Sequence, residues 1–369
     1  MQTHTDLLTR HLDRRGVTQT VLTSRLSGPR TVERVDGATV HRLGVRTAHL
    51  RQLWTAQALP RLLADPHRPD LVHAHQGEDL AALPLALAAS RRSGCPLIVT
   101  VHCSVEHTLQ PVGARSAAVA LVGAPLERAV LRRADAVITL TEATADKLSD
   151  GGIDADRIHV IPSGVDLASH RRPRRDPLPH VGHPRVVYVG RLVPQKSVDT
   201  LIRAAAILGI DARVVIVGDG PDRGKLTRLV ADLDLTDRMT FTGFIPYASV
   251  PAMLQHADVL VLPSLYEEMG SVLVQALATA TPVVATDVGG VATVVEDGAT
   301  GLLVPPLDPA ALAAAPEAVL ADPSLARRLA ANAARAAERY SWDVLAGAVL
   351  DVYRSVIGQP VTASATSPT

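Results

Sequence analysis

A chain of 369 residues, 47% hydrophobic and 20% charged, holds enough apolar material for two globular domains. Its 37 basic residues balance 37 acidic ones, which argues against a dedicated nucleic-acid binder, whose mark is a basic excess. The longest apolar run, 116–126, falls well short of the ~18 residues of a membrane span, and the polar N-terminus does not read as a signal peptide. Aromatics are only 2%, so the cores must be built from Ala, Val and Leu. Cys95 and Cys103 flank an expected strand. Eight extended residues separate them by roughly 26 Å, against the ~7 Å limit for a disulfide. They stay reduced, and a cytoplasmic setting is expected.

In chain order, a helix is expected over His4–Arg15, stopped by Gly16. The segments VTQTVLT, ATVHRL, DLVHAH, PLIVTVH, DAVITLT and RIHVIP read as strands, separated mostly by Ala/Leu-rich helical stretches, so residues 1–166 are expected to form an open parallel sheet covered by helices. A parallel α/β domain ordinarily begins with a central strand, whereas this chain begins with the helix that follows one. The expectation is that Met1 is an internal methionine taken for the start, and that an interior strand and a Gly-rich turn are lacking here.

Residues 167–184, rich in Pro and Arg, read as a linker, its four arginines as solvated charges. A second series then alternates strand with helix or turn: RVVYVG, ARVVIVG, RMTFTG, DVLVLP, TPVVATD and GLLVP, over 185–340. Two Rossmann-like halves imply a cleft faced by the carboxyl ends of their strands. Pro309–Arg339 reads as Ala-rich helix, 341–358 as a last helix opened by Ser341-Trp342, and 359–369 as a disordered Ser/Thr/Pro tail.

The most informative stretch is 258–306. A loop from Ser264 to Gly270 follows one strand and feeds a helix carrying Ser271 and Gln275. A helix start at the carboxyl end of a parallel strand presents unpaired N–H groups that favour an anion. Glu267, wrong for holding phosphate, suits the hydroxyls of a sugar attached to one. Arg191 and Lys196, five residues apart just past a strand end, can neutralise a diphosphate, the first by a fork of donors and the second as a point charge. Gly218 to Pro221 forms a tight turn beyond the next strand. His102 ends PLIVTVH, and its neutral ring can donate and accept at once. His73 and His75 share a strand face at a spacing that can hold metal, but no carboxylate or Cys partner is evident beside them, so no metal set is assigned. The Asp154–Asp156 and Asp232–Asp234 pairs fall in a turn and at a helix end, not at the end of a buried strand where a metal-binding Asp-x-Asp would sit. Neither a GxGxxG nor a P-loop occurs, nor a GxSxG elbow.

Taken together, VGRLVPQKS, PSLYEEMGSVLVQA before PVVATDVGG, and the ordered series DLVHAH, TVHC, IPSGVD, VGDGP, FTGF and SWDVL…VYRSV resemble the retaining glycosyltransferases of family 4, with the GT-B fold. The similarity runs over nearly the whole chain, and Met1-Gln2 fits the end of that family's Gly-Gly turn. The resemblance implies that Gly190, Arg191 and Lys196 meet the donor's pyrophosphate and that Glu267 contacts the donor sugar. It further implies that Gly270, Ser271 and Val272 offer backbone amides, that Gly218 lets the chain bend beside the nucleotide, and that Phe244 and Ile245 frame the base. His102 would touch donor sugar or acceptor. The family's second glutamate, which clasps the ribose hydroxyls, is here Gln275, so the anionic two-oxygen grip is replaced by an amide. No cofactor and no metal are implied; the nucleotide-sugar is a substrate.

TVHCS, TLTEAT and EEMGS are similar to the enzymes that glycosylate aminocyclitols in aminoglycoside assembly, which implies UDP-N-acetylglucosamine or UDP-glucose as donor and a small acceptor, with Glu106 or Glu142 meeting its amines. A lipid or inositol-phosphate acceptor is the alternative, the Arg115–Arg133 helix then touching a membrane surface. A non-catalytic sugar-nucleotide binder and an epimerase on the same fold are the other readings; the latter wants more acid and histidine around the sugar than Glu267 and His102 supply. The oligomeric state is left open.

Overall fold

The structure, a computed structural model, describes residues 2–25, 30–44, 54–55, 57–58, 60, 68–77, 80–103 and 114–358. The tail from 359, and Ser104, Glu106 and His107, lie outside them. The chain forms two compact units, one of 1–162 with 342–369, the other of 163–341.

In the first unit the strands are β1 (Thr20–Arg25), β2 (Thr31–Val35), β3 (Ala38–Gly44), β4 (Val72–Gln76), β5 (Leu97–Val101), β6 (Ala136–Thr139) and β7 (Ile158–Val160). The single open parallel sheet expected from the sequence is instead two sheets, ordered β1-β3-β2 and β4-β5-β6-β7. The second is parallel throughout. In the first, β1 runs parallel to β3, but β2 pairs with β3 antiparallel. The unforeseen β2 folds back through Asp36-Gly37, both at positive φ (44° and 83°). That pair is the two-residue hairpin signal, and it outweighs the parallel rhythm of the rest.

Alternation along β5 explains the two-sided core. Leu97, Val99 and Val101 point into a cluster with Leu83, Val130 and Leu131. Ile98 points the other way, towards Leu8 and Leu12 of the Gln2–Asp13 helix and Trp342, Val349 and Tyr353 of the Trp342–Val356 helix. The last helix is therefore part of the first unit, its Asp343 pairing with His11 at 3.1 Å. Both cysteines are free thiols.

The second unit holds β8 (Arg185–Val189), β9 (Arg213–Val217), β10 (Met239–Gly243), β11 (Val259–Leu262), β12 (Val283–Thr286) and β13 (Leu302–Val304). They form one parallel sheet ordered β10-β9-β8-β11-β12-β13. This is the doubly wound order, and the direction of winding switches between β8 and β11.

Two boundaries need correction. Residues 167–184 are not a free linker. Asp166 caps a helix at Leu167–Arg171, and Leu178 and Val181 pack on Val187, Val215 and Val217. Arg185, buried at the start of β8, pairs with Asp176 at 2.8 Å and donates to the carbonyls of Leu178 and Val181, so apolar contact and a buried guanidinium bind the segment to the second unit. Of the four arginines, Arg171 pairs with Glu338 at 2.6 Å and Arg174 donates to Ser169. The Ala-rich stretch is likewise two helices, Pro309–Ala321 and Pro323–Ala336, because Asp322 accepts from the Ser324 and Leu325 amides while Pro323 starts the second.

Candidate functional site

In the second unit, four neighbouring strands, β10, β9, β8 and β11, release their loops at the carboxyl edge of the sheet, and the sequence-predicted donor residues fall on them. Backbone bonds lace the first three loops together. The Gly190 amide donates to Val217 and the Gly218 amide to Gly243, both at 2.9 Å, and the Leu192 amide donates to Asp219. Gly218 sits at φ +133°, and a Cβ there would lie 1.8 Å from the Gly190 carbonyl oxygen, so the residue must be glycine for the two loops to meet.

Lys196 ends a short turn after β8 (Pro194–Lys196), and Glu267 lies in the loop after β11. Their side chains form an ion pair across the winding switch. Glu267 is buried, and the same oxygen accepts from Ser264 Oγ at 2.6 Å. The main chains are joined as well: the Leu265 amide donates to Gln195 at 2.8 Å and Gln195 Nε2 to the Tyr266 carbonyl at 3.0 Å. Gly289, after β12, supports this loop from behind. Its φ is +54°, a Cβ would stand 2.1 Å from the Glu267 carbonyl, and the Gly290 amide donates to that carbonyl. Arg191 is exposed, and its carbonyl accepts from the phenol of buried Tyr188 at 2.9 Å. Burial, reinforced by the charge of Glu267, keeps that phenol protonated far above its ordinary range.

The Ser271–Ala278 helix begins at this same edge with Gly270 as its cap (φ +73°). The first amides of a helix have no acceptor within it, so those of Ser271 and Val272 are presented beside the Lys196–Glu267 pair. One turn further, Gln275 is buried, its Nε2 reaching the Ser271 carbonyl at 3.4 Å. His170 stands beside it, with Nδ1 donating to the Asp166 carbonyl at 2.8 Å; burial lowers its pKa and the Gln275 amide opposes that. Beyond β10, Phe244 is 80% exposed, an unusual position for a large apolar ring, whereas Ile245 packs on the core.

His102 lies in the first unit. On β4 and β5 the face that carries Ile98 also carries His73, His75 and Thr100, and His102 continues it. His73 is held between Tyr353 (2.6 Å) and Thr100 (2.7 Å), and Nδ1 of His75 meets Nε2 of His102 at 3.1 Å. His4, from the first helix, stands edge-on to His102 with ring centroids 4.5 Å apart and to Trp342 at 4.8 Å. Burial lowers the pKa of His75 to about 4, and burial followed by repulsion from neighbouring imidazoles pushes His4, His73 and His102 well below their ordinary pKa, so all four are neutral at pH 7.

The structure thus joins Lys196 and Glu267 with Gly190, Arg191, Gly218, Gly270, Ser271, Val272 and Gln275 along one sheet edge, and Phe244 and Ile245 at its end. Sequence reading missed Ser264, Gln195 and Gly289, which fix Glu267, and the neighbours of His102. All three stand within VGRLVPQKS, PSLYEEMGS and DVGG, but each acts through a single contact that leaves no pattern.

Comparison with known proteins follows the same division. Residues 1–169 match the family described as Glycosyltransferase Family 4 and 171–336 the one described as Glycosyl transferases group 1. The 2-deoxystreptamine glucosyltransferase of Streptomyces kanamyceticus is 34% identical over 97% of this chain and 100% of its own. The chain belongs to the family 4 glycosyltransferases. The 2-deoxystreptamine N-acetyl-D-glucosaminyltransferase of Streptomyces fradiae is also 34% identical, over 97% of this glycosyltransferase and 91% of the relative. Among solved structures, sucrose-phosphate synthase from Thermosynechococcus elongatus superposes with a TM-score of 0.82 at 26% identity, covering 95% of this chain and 92% of that one. The fold is GT-B. Among the described residues of this glycosyltransferase no helix is long and apolar enough to cross a membrane.

Proposed function

We propose that this glycosyltransferase is a retaining, metal-independent hexosyltransferase of the cytoplasm, moving N-acetylglucosamine or glucose from its UDP donor to a hydroxyl of an aminocyclitol. The observation that carries the reading is the ion pair of Lys196 and Glu267 at the winding switch, beside the start of the Ser271–Ala278 helix. A cation, an anion and unpaired amides within one small region suit a ligand that is diphosphate at one end and polyhydroxyl at the other. The acceptor class rests on the two relatives whose names specify 2-deoxystreptamine.

In this reading the second unit binds the nucleotide-sugar and the first the acceptor. Lys196 exchanges Glu267 for the diphosphate, and with Arg191 and the amides at 270–272 it stabilises the charge that develops on the leaving group, the work of a metal ion in other transferases. Glu267, still held by Ser264, then accepts from the sugar's hydroxyls. The bond from the anomeric carbon to the diphosphate breaks, the acceptor oxygen bonds to that carbon on the same face, and the acceptor's proton passes to a leaving phosphate oxygen. No protein nucleophile takes part, in contrast to the paired carboxylates of retaining hydrolases. Neutral His102 donates to or accepts from a sugar hydroxyl.

The test is mass spectrometry of the purified protein with UDP-, GDP- and dTDP-sugars and a panel of aminocyclitols and inositol phosphates, chelator present, followed by NMR of the product's anomeric configuration. The expected result is a glycosylated aminocyclitol from a UDP-sugar with the donor's configuration retained. Inversion, a requirement for added divalent metal, or transfer to inositol phosphate alone overturns the corresponding part of the proposal.

A further inference from the structure

We propose that His4, His75 and His102 form a binding site for a borderline divalent ion, of which Zn²⁺ is the natural example. One ring nitrogen from each of the three lies within 4.8 Å of the others, and the closest pair, Nδ1 of His75 and Nε2 of His102, is 3.1 Å apart. Tetrahedral zinc with Zn–N bonds of ~2.0–2.1 Å needs its nitrogens about 3.3–3.4 Å from one another. The pair, at 3.1 Å, lies slightly inside that spacing, so a small parting of the two rings admits the ion, and His4 supplies the third nitrogen. Three imidazoles with a fourth position open is an established zinc arrangement, and imidazole sets of this kind suit zinc over magnesium or calcium, which want oxygen.

The set is more than a chance meeting of rings. The three come from separate elements, the Gln2–Asp13 helix, β4, and the loop that follows β5, yet they converge on one point where His4 is buried and His75 and His102 are half-buried. His73 stacks close by, ring centroids 4.3 Å from His75, but both its nitrogens are engaged by Tyr353 and Thr100, so it supports the set from behind rather than joining it. An ion here replaces the His75–His102 hydrogen bond. The site lies in the other unit from Lys196 and Glu267 and shares only His102 with the proposed transfer, where a hydroxyl would meet the ring nitrogen that the ion leaves open; the metal titration reads the site whether or not the proposed transfer is correct. The sequence alone could not assign it, because His73 and His75 are two apart and His4 is seventy residues away in the chain.

The test is titration of the chelator-treated full chain with Co²⁺, read by the visible bands of a four- or five-coordinate ion, and then with Zn²⁺, which displaces it. One equivalent is expected to bind. His4→Ala and His75→Ala, each removing a ligand, are expected to weaken binding at least tenfold, with His159→Gln, on β7 and outside the set, within about threefold of the parent. Absence of binding at one equivalent, or affinity unchanged in both alanine variants, overturns the site. Should those variants fail to fold, nitrogen-15 spectra of the histidine rings in the unaltered protein decide: His4, His75 and His102 shift together on adding one equivalent of Zn²⁺, and a response from other histidines alone overturns the proposal.

Discussion

Replacing Lys196 by alanine tests the switch-point pair on two scales at once. The ammonium and the carboxylate are 18% and 9% exposed, so the pair is largely, not wholly, withdrawn from water. Removing one member of a fully buried pair costs about 3–5 kcal/mol, because the other charge is stranded. Residual exposure and the Ser264 hydroxyl on Glu267 reduce this to about 2 kcal/mol, or a fall of roughly 4–8 °C in the melting temperature of a unit this size. Lys196→Met combined with Glu267→Gln strands no charge and is expected to recover most of that loss, a coupling that a double-mutant cycle measures directly. Transfer behaves differently. If Lys196 stabilises the departing diphosphate, its loss lowers turnover about 10²–10³-fold, and the double variant does not recover it. Thermal denaturation and UDP release assays on the same preparations separate the two effects. A folded Lys196→Ala protein that transfers sugar within threefold of the parent would refute the reasoning.

Gly218→Ala forces a methyl against the Gly190 carbonyl and should lower stability by about 3 kcal/mol or more; denaturant unfolding near parental values would show that the loops can part. The neutral histidines of the first unit make stability fall with acid: below about pH 6.5 the unfolded chain takes up protons that the fold refuses, and the loss continues to the folded-state value of about 4 for His75. From His75 alone this amounts to about 2 kcal/mol between pH 7 and pH 5, measured by denaturation with chelator present, and a flat profile contradicts it. Gln275→Glu sets a carboxylate beside His170 and should raise that imidazole's pKa by about one pH unit, read by proton NMR; an unmoved titration would show that the two side chains do not face each other.

The second unit was the more legible in the sequence. Each of its six β-branched runs became a strand, since strands buried on both faces leave unbroken apolar runs, and the motif order placed Arg191, Lys196 and Glu267 on one sheet edge. The first unit was less so. Asp36-Gly37 joins an unforeseen strand, β2, to β3 as a hairpin, a local signal easily overlooked beside the longer α/β rhythm. The Pro and Arg content of 167–184 resembles solvated chain, whereas Val181 and the buried guanidinium of Arg185 fasten the segment to the sheet. Gln275 reads in the sequence as a weakened ribose grip; its burial beside His170, more than a hundred residues earlier in the chain, carries no sequence pattern. The histidine cluster was invisible for the same reason, being made by the fold from residues far apart in the chain.

The ion pair at the winding switch is the centre of the account, and a crystal of the protein soaked with UDP-sugar examines it most directly. The expected density has the diphosphate against Lys196, Arg191 and the amides at 270–272, with Glu267 turned to the sugar. Diphosphate bound elsewhere, with Lys196 and Glu267 still paired, would contradict it.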